Sequence, residues 1–304
     1  EKDIHTFPIF RPSAPLPRHR ARMLPNRNNH QPLWCAAGSR TPRRRRPDGE
    51  ADELNKVVLI TGASGGIGAA LAENLGHRGC SLALVARREA ELNAVRTRCG
   101  GNALAIVADV TRRDEVRRIV SETLAHFGHI DVLVNNVGQG ITRAPSELTD
   151  QDIDQVMQVN IKSALYGMQE ILPHFKSRGE GQIVNISSML GRVPLALFRS
   201  AYVGAKHFLN ALTATFRMEF AESYPGIVFS LVSPGVVRTD FGLNAMHGGP
   251  DSRELPGSQN ADEVAEVIAD VIENRRNDVY TRAGSRARVV EYYSATGEDP
   301  EAGS

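Results

Sequence analysis

Residues 56–89 read KVVLITGASGGIGAALAENLGHRGCSLALVARRE, and the fold turns on how this stretch is parsed. VVLIT at 57–61 is an uninterrupted apolar and β-branched run, the pattern of a strand buried on both faces. A glycine-rich turn follows, and residues 67–78 then carry the small and leucine side chains of a helix. SLALVA at 81–86 supplies a second buried strand. Strand, helix and strand in so short a span make a βαβ unit, whose two strands must lie parallel.

The same texture continues outward. Further strands are expected at ALAIVA (103–108), DVLVN (131–135), QIVNIS (182–187), IVFSLVS (227–233) and DVYT (278–281). Helices are expected over 67–78, 88–99, 112–127, 151–177, 201–223 and 261–275. The fold class is therefore α/β, a single-domain, Rossmann-type doubly wound sheet of about seven parallel strands flanked by helices. Two helices, 151–177 and 201–223, are apolar nearly all round, through residues such as Val156, Ile161, Leu165, Phe208, Leu212 and Phe216. Such helices need cover on two sides. The sheet provides one, and a second subunit, in a homodimer or homotetramer, or else a loop provides the other.

Composition sets the outer limits. With 304 residues, 41% of them hydrophobic, the chain can bury one large core. The net charge of +1 hides an excess of seven positive charges in residues 1–50, which hold 11 Lys and Arg against 4 Asp and Glu. That segment also has 8 of the 16 prolines and the run RRRR at 43–46, and it lacks apolar periodicity. Residues 1–53 are accordingly expected to be a disordered basic extension, 54–284 the catalytic domain and 285–304 a C-terminal tail. Three accounts of the extension stay open: a mitochondrial-type presequence, a basic arm for nucleic acid, or a stretch outside the functional protein. The acidic Glu1 and Asp3 and the many prolines weigh against a presequence helix, and the reading favours a non-functional extension. Cys35, Cys80 and Cys99 form neither a disulfide framework nor a zinc spacing, and no apolar run of membrane-spanning length occurs. The protein is expected to be soluble and cytoplasmic, with no metal and neither a membrane nor a nucleic acid as partner.

The turn after the first strand, TGASGGIG, places Gly62, Gly66 and Gly68 where a strand meets a helix N-terminus. Glycines there let a pyrophosphate approach backbone N–H groups and the positive end of the helix dipole. The second strand ends in Arg87-Arg88 and carries no carboxylate at the position that would grip a ribose 2′-hydroxyl. A guanidinium can fork onto a 2′-phosphate, and Ser64 can add a hydrogen bond, so NADP(H) is preferred while NAD(H) stays possible.

Tyr202 and Lys206 stand four apart in a predicted helix, on one face. A phenol is a weak acid at neutral pH, and a neighbouring ammonium lowers its pKa by stabilising phenolate. Such a tyrosine can give a proton to a carbonyl oxygen or take one from an alcohol. The chain has only 5 lysines beside 31 arginines, so a lysine at 206 is a specific choice.

These residues, with Thr61 to Gly68, Asp109-Val110, Asn135-Asn136-Val137-Gly138, Asn160, Ser188 and Ser233-Pro234-Gly235, resemble the short-chain dehydrogenase/reductase family over about residues 55–281. The resemblance implies an NADP(H)-dependent oxidoreductase that interconverts a small-molecule carbonyl and a secondary alcohol. It implies Tyr202 as acid–base, Ser188 at the substrate oxygen, Lys206 on the nicotinamide ribose and Asn160 in a proton relay through water. It also implies a cofactor against Gly62, Ser64, Gly66, Ile67, Gly68, Arg87, Arg88, Asp109, Val110, Asn136, Gly138, Tyr202, Lys206, Pro234, Gly235, Val237 and Thr239. Asp109 would sit by the adenine, and Thr239 would meet the carboxamide. The serine-to-tyrosine spacing is fourteen residues from Ser188, one more than usual in the family, and fifteen from Ser187. Strand alternation admits only one of the two serines to the cleft. Gly191, three after Ser188, matches the usual pattern and favours Ser188.

Residues 240–260 are rich in glycine and proline and fall where the family's substrate loop lies. Phe241, Leu243 and Met246, with Leu195 and Phe198 from the opposite loop, either line an apolar pocket or anchor the loops. Two other functions compete with this one, an epimerase or dehydratase using the same tyrosine and lysine, and a non-catalytic dinucleotide-binding or nucleic-acid-binding protein. The glycine spacing disfavours the first, and the full set of reactive residues disfavours the second.

Overall fold

Runs of Val, Ile, Leu and Ala with no polar interruption cannot leave a face to water, and here they pair into one parallel sheet covered on both sides. The computed structural model describes residues 54–297, so the basic extension at 1–53 and residues 298–304 lie outside the described residues. The strands are β1 (Val57–Thr61), β2 (Ser81–Ala86), β3 (Ala103–Val107), β4 (Val132–Asn135), β5 (Gly181–Ile186), β6 (Ile227–Ser233) and β7 (Asp278–Tyr280). Their order is β3-β2-β1-β4-β5-β6-β7, all parallel. The winding reverses between β1 and β4. In an open sheet of this kind that reversal leaves a crevice at the carboxyl ends of the two strands.

The helices are α1 (Gly66–His77), α2 (Glu89–Arg98), α3 (Arg113–Phe127), α4 (Asp150–Met157), α5 (Ser163–Arg178), α6 (Ser200–Phe220), α7 (Ala261–Asn274) and α8 (Ser285–Ser294). Strand alternation divides the core into two layers, the upper against α1, α2 and α7 and the lower against α3, α5 and α6. Val58, Ile60, Leu84 and Val134 pack under α1, α2 and α7 with Leu71, Leu75, Leu92 and Ile268. Leu59, Val85, Leu133 and Phe229 face the other way, onto Ile119 of α3, Ile171 and Phe175 of α5 and Phe220 of α6.

The expected strands and helices recur with their ends shifted by at most three residues, and two differences are larger. The single helix expected over 151–177 is two helices joined by a π turn at Gln158–Lys162. Here the Asn160 amide donates to the Val156 carbonyl at 3.0 Å and the Ser163 hydroxyl donates to the Val159 carbonyl at 2.5 Å. Side chains that bond their own helix backbone compete with the regular ladder, and apolar periodicity does not register that. Residues 285–294, read as part of a tail, form α8. This helix buries only Ser285, so it lacks the apolar stripe that betrays a helix in sequence. Its Tyr293 hydroxyl donates to the Arg192 carbonyl at 2.9 Å. Among the described residues nothing covers Phe208 and Met218 of α6, which are exposed.

Phe229 tests the lower layer, because it is fully buried, stacks on Phe216 at 5.4 Å and meets Phe220 edge-on at 5.3 Å. Phe229→Ala is expected to lower unfolding free energy by about 3–5 kcal/mol in urea denaturation. A loss well below 1 kcal/mol would mean that this ring is not a packing centre.

Candidate active site

The crevice is built by lacing two strand ends together. The Asn136 backbone N–H donates to the Thr61 hydroxyl at 3.1 Å, and that hydroxyl donates to the Val134 carbonyl at 3.2 Å. The Asn136 side-chain amide donates to the Thr61 carbonyl at 3.1 Å and the Gly62 carbonyl at 3.3 Å. This contact fixes the turn that leads into α1. Gly62 and Gly66 take φ of +71° and +56°, which a side chain disfavours. A β-carbon on Gly68 would lie 2.3 Å from the Gly62 carbonyl oxygen, so only glycine lets the helix start so close to the strand. One on Gly66 would touch Thr239 at 3.2 Å, which brings the loop after β6 over the same turn.

The remaining cofactor positions expected from sequence surround this turn. Arg88 donates to the Ser64 hydroxyl and carbonyl, each at 3.2 Å from Nη2, and pairs with Glu91 at 3.3 Å. Arg87 is exposed beside it. Ile67 packs partly buried against the upper core layer, and the Val110 side chain belongs to the lower one. Asp109 accepts at Oδ1 from the Thr111 N–H at 3.0 Å and hydroxyl at 2.8 Å, closing the turn before α3. The Pro234 carbonyl accepts from the Met189 N–H at 2.7 Å, and the backbone flanking Val237 pairs with Gln259. Gly235 stands open, its nearest neighbour 4.0 Å from a notional β-carbon.

At the end of β5 the two adjacent serines part. The Ser187 hydroxyl is buried and donates to Asn210 Oδ1 at 2.5 Å, while the Asn210 amide donates to the Gly191 carbonyl at 2.6 Å. Ser188 points to the other side, accepts from the Leu190 N–H at 3.1 Å and reaches the Tyr202 hydroxyl. The loop between Ser188 and Tyr202 absorbs its length in two short 3-10 turns, Met189–Gly191 and Leu197–Arg199.

Tyr202 and Lys206 are both buried, 5% and 3% exposed. Lys206 Nζ lies 5.6 Å from the Tyr202 ring centroid and donates to the Ile186 carbonyl at 2.9 Å. Asn160 is buried next to them, accepting from the Gln139 N–H at 3.1 Å and donating to the Gln139 carbonyl at 3.0 Å. Gly138 sits between the two, since a β-carbon there would be 3.1 Å from Asn160 Oδ1 and 3.4 Å from Lys206 Nζ. With Ser188, five residues from four segments thus converge on one small volume.

The electrostatics differ from the expected lowering of the tyrosine by the lysine. Burial pushes the Tyr202 phenol up to about 12, and the downward pulls come from the Ser188 side chain and the Arg199 charge. Burial also pushes the Lys206 ammonium down to about 8. The physical reason is desolvation, which disfavours the charged form of both groups and outweighs their mutual influence at this distance.

Phe241 lies against Tyr202 with ring centroids 5.5 Å apart, and Met246 joins the same apolar cluster through Ile141. Leu243, Leu195 and Phe198 are instead exposed, so only two of the five expected apolar residues meet the tyrosine's cluster. The loop is tied across the site. Met246 N–H donates to the Gly140 carbonyl at 2.9 Å, and Thr142 N–H donates to the Met246 carbonyl at 3.0 Å. Next to it His247 Nε2 donates to Asp152 Oδ1 at 2.7 Å while Arg143 Nη1 donates to Oδ2 at 2.9 Å.

A family model described as short chain dehydrogenase matches residues 56–247. The chain belongs to the short-chain dehydrogenase/reductase family. An uncharacterised oxidoreductase of Staphylococcus epidermidis is 32% identical over 230 residues, 75% of this chain and 96% of that protein. A short-chain dehydrogenase/reductase from Burkholderia phymatum, solved in complex with NAD, matches with a TM-score of 0.74 at 23% identity, over 82% of this chain and 98% of that one. A short-chain dehydrogenase from Sphingobium yanoikuyae, solved in complex with NADPH, matches with a TM-score of 0.68 at 28% identity, over 80% and 99% of the two chains. The chain is an NAD(P)-dependent enzyme of this family, and the Burkholderia likeness speaks to the fold alone.

Several groups of this dehydrogenase/reductase site carry little signal in the sequence. Thr61 belongs to the glycine-turn motif, but its hydroxyl's link to Asn136, like the contacts of Asn210, is made only when distant segments meet. Arg199 precedes Tyr202 by three residues at the start of α6, and its place beside the tyrosine's cluster follows only from the fold. The Asp152 cluster is partly legible, as Thr149 and Asp152 form a capping box at the start of α4.

Hydrogen bonds from Thr149 and His247 hold the Asp152 carboxyl well below the usual carboxylate range. A lowered folded pKa means stability that is present above the unfolded pKa, near 4, and lost as pH falls below it. Asp152→Asn is therefore expected to unfold at lower denaturant than the parent at pH 7, with the gap shrinking below about pH 4. A gap that stays constant with pH in guanidinium titrations would remove the charge from the account.

Proposed function

We propose that this enzyme interconverts a carbonyl and a secondary alcohol with NADP(H) as preferred cofactor, Tyr202 giving or taking the proton. The observation that carries the reading is the buried Tyr202 hydroxyl in reach of Ser188, with Lys206 and Asn160 packed behind it around Gly138. The residues fit a dinucleotide. The turn at Gly62–Gly68 leaves backbone exposed at a helix start, and Gly138 leaves open the space beside Lys206 and Asn160. When bound, the cofactor supplies or accepts the hydride at the carbonyl carbon. Arg87 and Arg88 would hold the 2′-phosphate, and Arg88 already sits on Ser64 at the turn.

The chain's own part is the proton and its timing. Ser188 would donate to the substrate oxygen and orient it toward Tyr202. A phenol raised to about 12 is neutral at pH 7, so a donor for reduction stands ready. The reverse reaction needs phenolate, which the Arg199 charge and the Ser188 hydrogen bond both favour. Alcohol oxidation is therefore expected to speed up as pH rises, whereas reduction should vary little between pH 6 and 7. Asn160 is bonded to both the N–H and the carbonyl of Gln139 and would hold water in a proton relay behind Lys206.

NADPH consumption across a panel of ketones and aldehydes tests the reading. Tyr202→Phe should cost roughly 10²–10⁴-fold in kcat with the fold intact by circular dichroism. Arg87→Asp should shift kcat/KM from NADPH toward NADH by about tenfold or more. Full activity in the phenylalanine variant sinks the acid–base role, and unchanged selectivity sinks the cofactor preference. Conversion of a hydroxylated substrate without net NADPH turnover would favour the epimerase alternative. The exposed Phe208 and Met218 on α6 support a homo-oligomer, for which light scattering at micromolar concentration should give at least a dimer mass; a monomer mass rejects it.

A further inference from the structure

Arg199 is half-buried and stands at the N-cap of α6, three residues ahead of Tyr202. Its guanidinium lies so close to Gly140 that a β-carbon on that glycine would come within 2.8 Å of Nη1. The same notional β-carbon would meet the Phe241 ring at 3.1 Å, and Phe241 is the ring set against Tyr202. Arg199, Gly140, Phe241 and Tyr202 therefore form one continuous wall, and the Arg199 charge is felt at the Tyr202 hydroxyl. Among the described residues no carboxylate lies within ion-pair distance of this guanidinium, and none accepts a hydrogen bond from it. Arg143, by contrast, has its charge met by Asp152.

A cation partly withdrawn from water without a counterion is costly, and an incoming anion offsets that cost. The planar fork of a guanidinium matches the two oxygens of a carboxylate. The same loop carries Leu195, Leu197 and Phe198 exposed, which suits an apolar body attached to the charged group. We propose that Arg199 is a specificity-determining residue that selects carbonyl substrates bearing a carboxylate and holds that group beside Tyr202. The proposal rests on the reading of Tyr202 as the acid–base.

Its test uses 4-acetylbenzoate and methyl 4-acetylbenzoate, two ketones that differ in charge at one position. The readout is the carboxylate-to-ester ratio of kcat/KM with NADPH, in the unaltered enzyme, Arg199→Met and Arg199→Lys. Any influence of Arg199 on Tyr202 acts on both substrates alike and cancels in that ratio. Arg199→Met is expected to lower the ratio roughly 10- to 100-fold, mainly through KM, and Arg199→Lys to regain part of it. A ratio that Arg199→Met leaves unchanged, or an unaltered enzyme that prefers the ester, overturns the proposal. Calorimetric binding of 4-acetylbenzoate to the NADP-loaded enzyme is measured alongside. Binding that depends on Arg199 without turnover counts against the acid–base reading and supports this one. Absent binding, or equal affinity in Arg199→Met, overturns this one whatever the turnover.

Discussion

The crevice depends on the Asn136 side chain, which holds the ends of β1 and β4 together. A sheet that reverses its winding exposes backbone groups at the reversal, and buried or half-buried carbonyls must find donors. Asn136 supplies them for Thr61 and Gly62. That contact sets where the turn begins, and the turn in turn sets where α1 begins, because Gly68 leaves no room for adjustment against the Gly62 carbonyl. The positive end of α1 thereby faces the crevice and not the core.

A second set of polar contacts fixes the other half. Asn135 donates to Asn185 at 2.9 Å, and Asn185 donates to Thr213 of α6 at 2.9 Å, all three inside the apolar core. Ser187, Asn210 and the Gly191 carbonyl form a parallel chain one turn nearer the site. Buried polar groups are tolerated only when satisfied, and a satisfied network admits one arrangement where an apolar contact would admit several. These two chains set the rotation of α6 against β5. They consequently fix the separation between Ser188, at the end of one element, and Tyr202 and Lys206, on the other.

The sheet and its winding were legible because each strand is a solid apolar run and each crossover a helical period. The crevice was legible because glycine spacing at a strand-to-helix junction has few other uses. What escaped the sequence depends on groups far apart along the chain. The π turn at Gln158–Lys162 follows from side chains bonding their own backbone, which hydrophobic periodicity does not encode. Helix α8 escaped because it buries almost nothing. The charge balance around Tyr202 escaped for a third reason. Spacing shows that Lys206 can approach the tyrosine, but only burial shows that both groups are dehydrated, and dehydration dominates.

One carboxylate joins parts of the molecule that otherwise have little in common. Asp152 accepts from the Thr149 N–H and hydroxyl, from Arg143 and from His247, so a helix cap, the segment leading out of the crevice and the loop over it share a single acceptor. Unfastening the loop at His247 therefore weakens the first turn of α4, and fraying of that turn loosens the loop. The two are thus coupled through one side chain. A substitution at the start of α4 therefore bears on the loop over the crevice without touching the reacting groups.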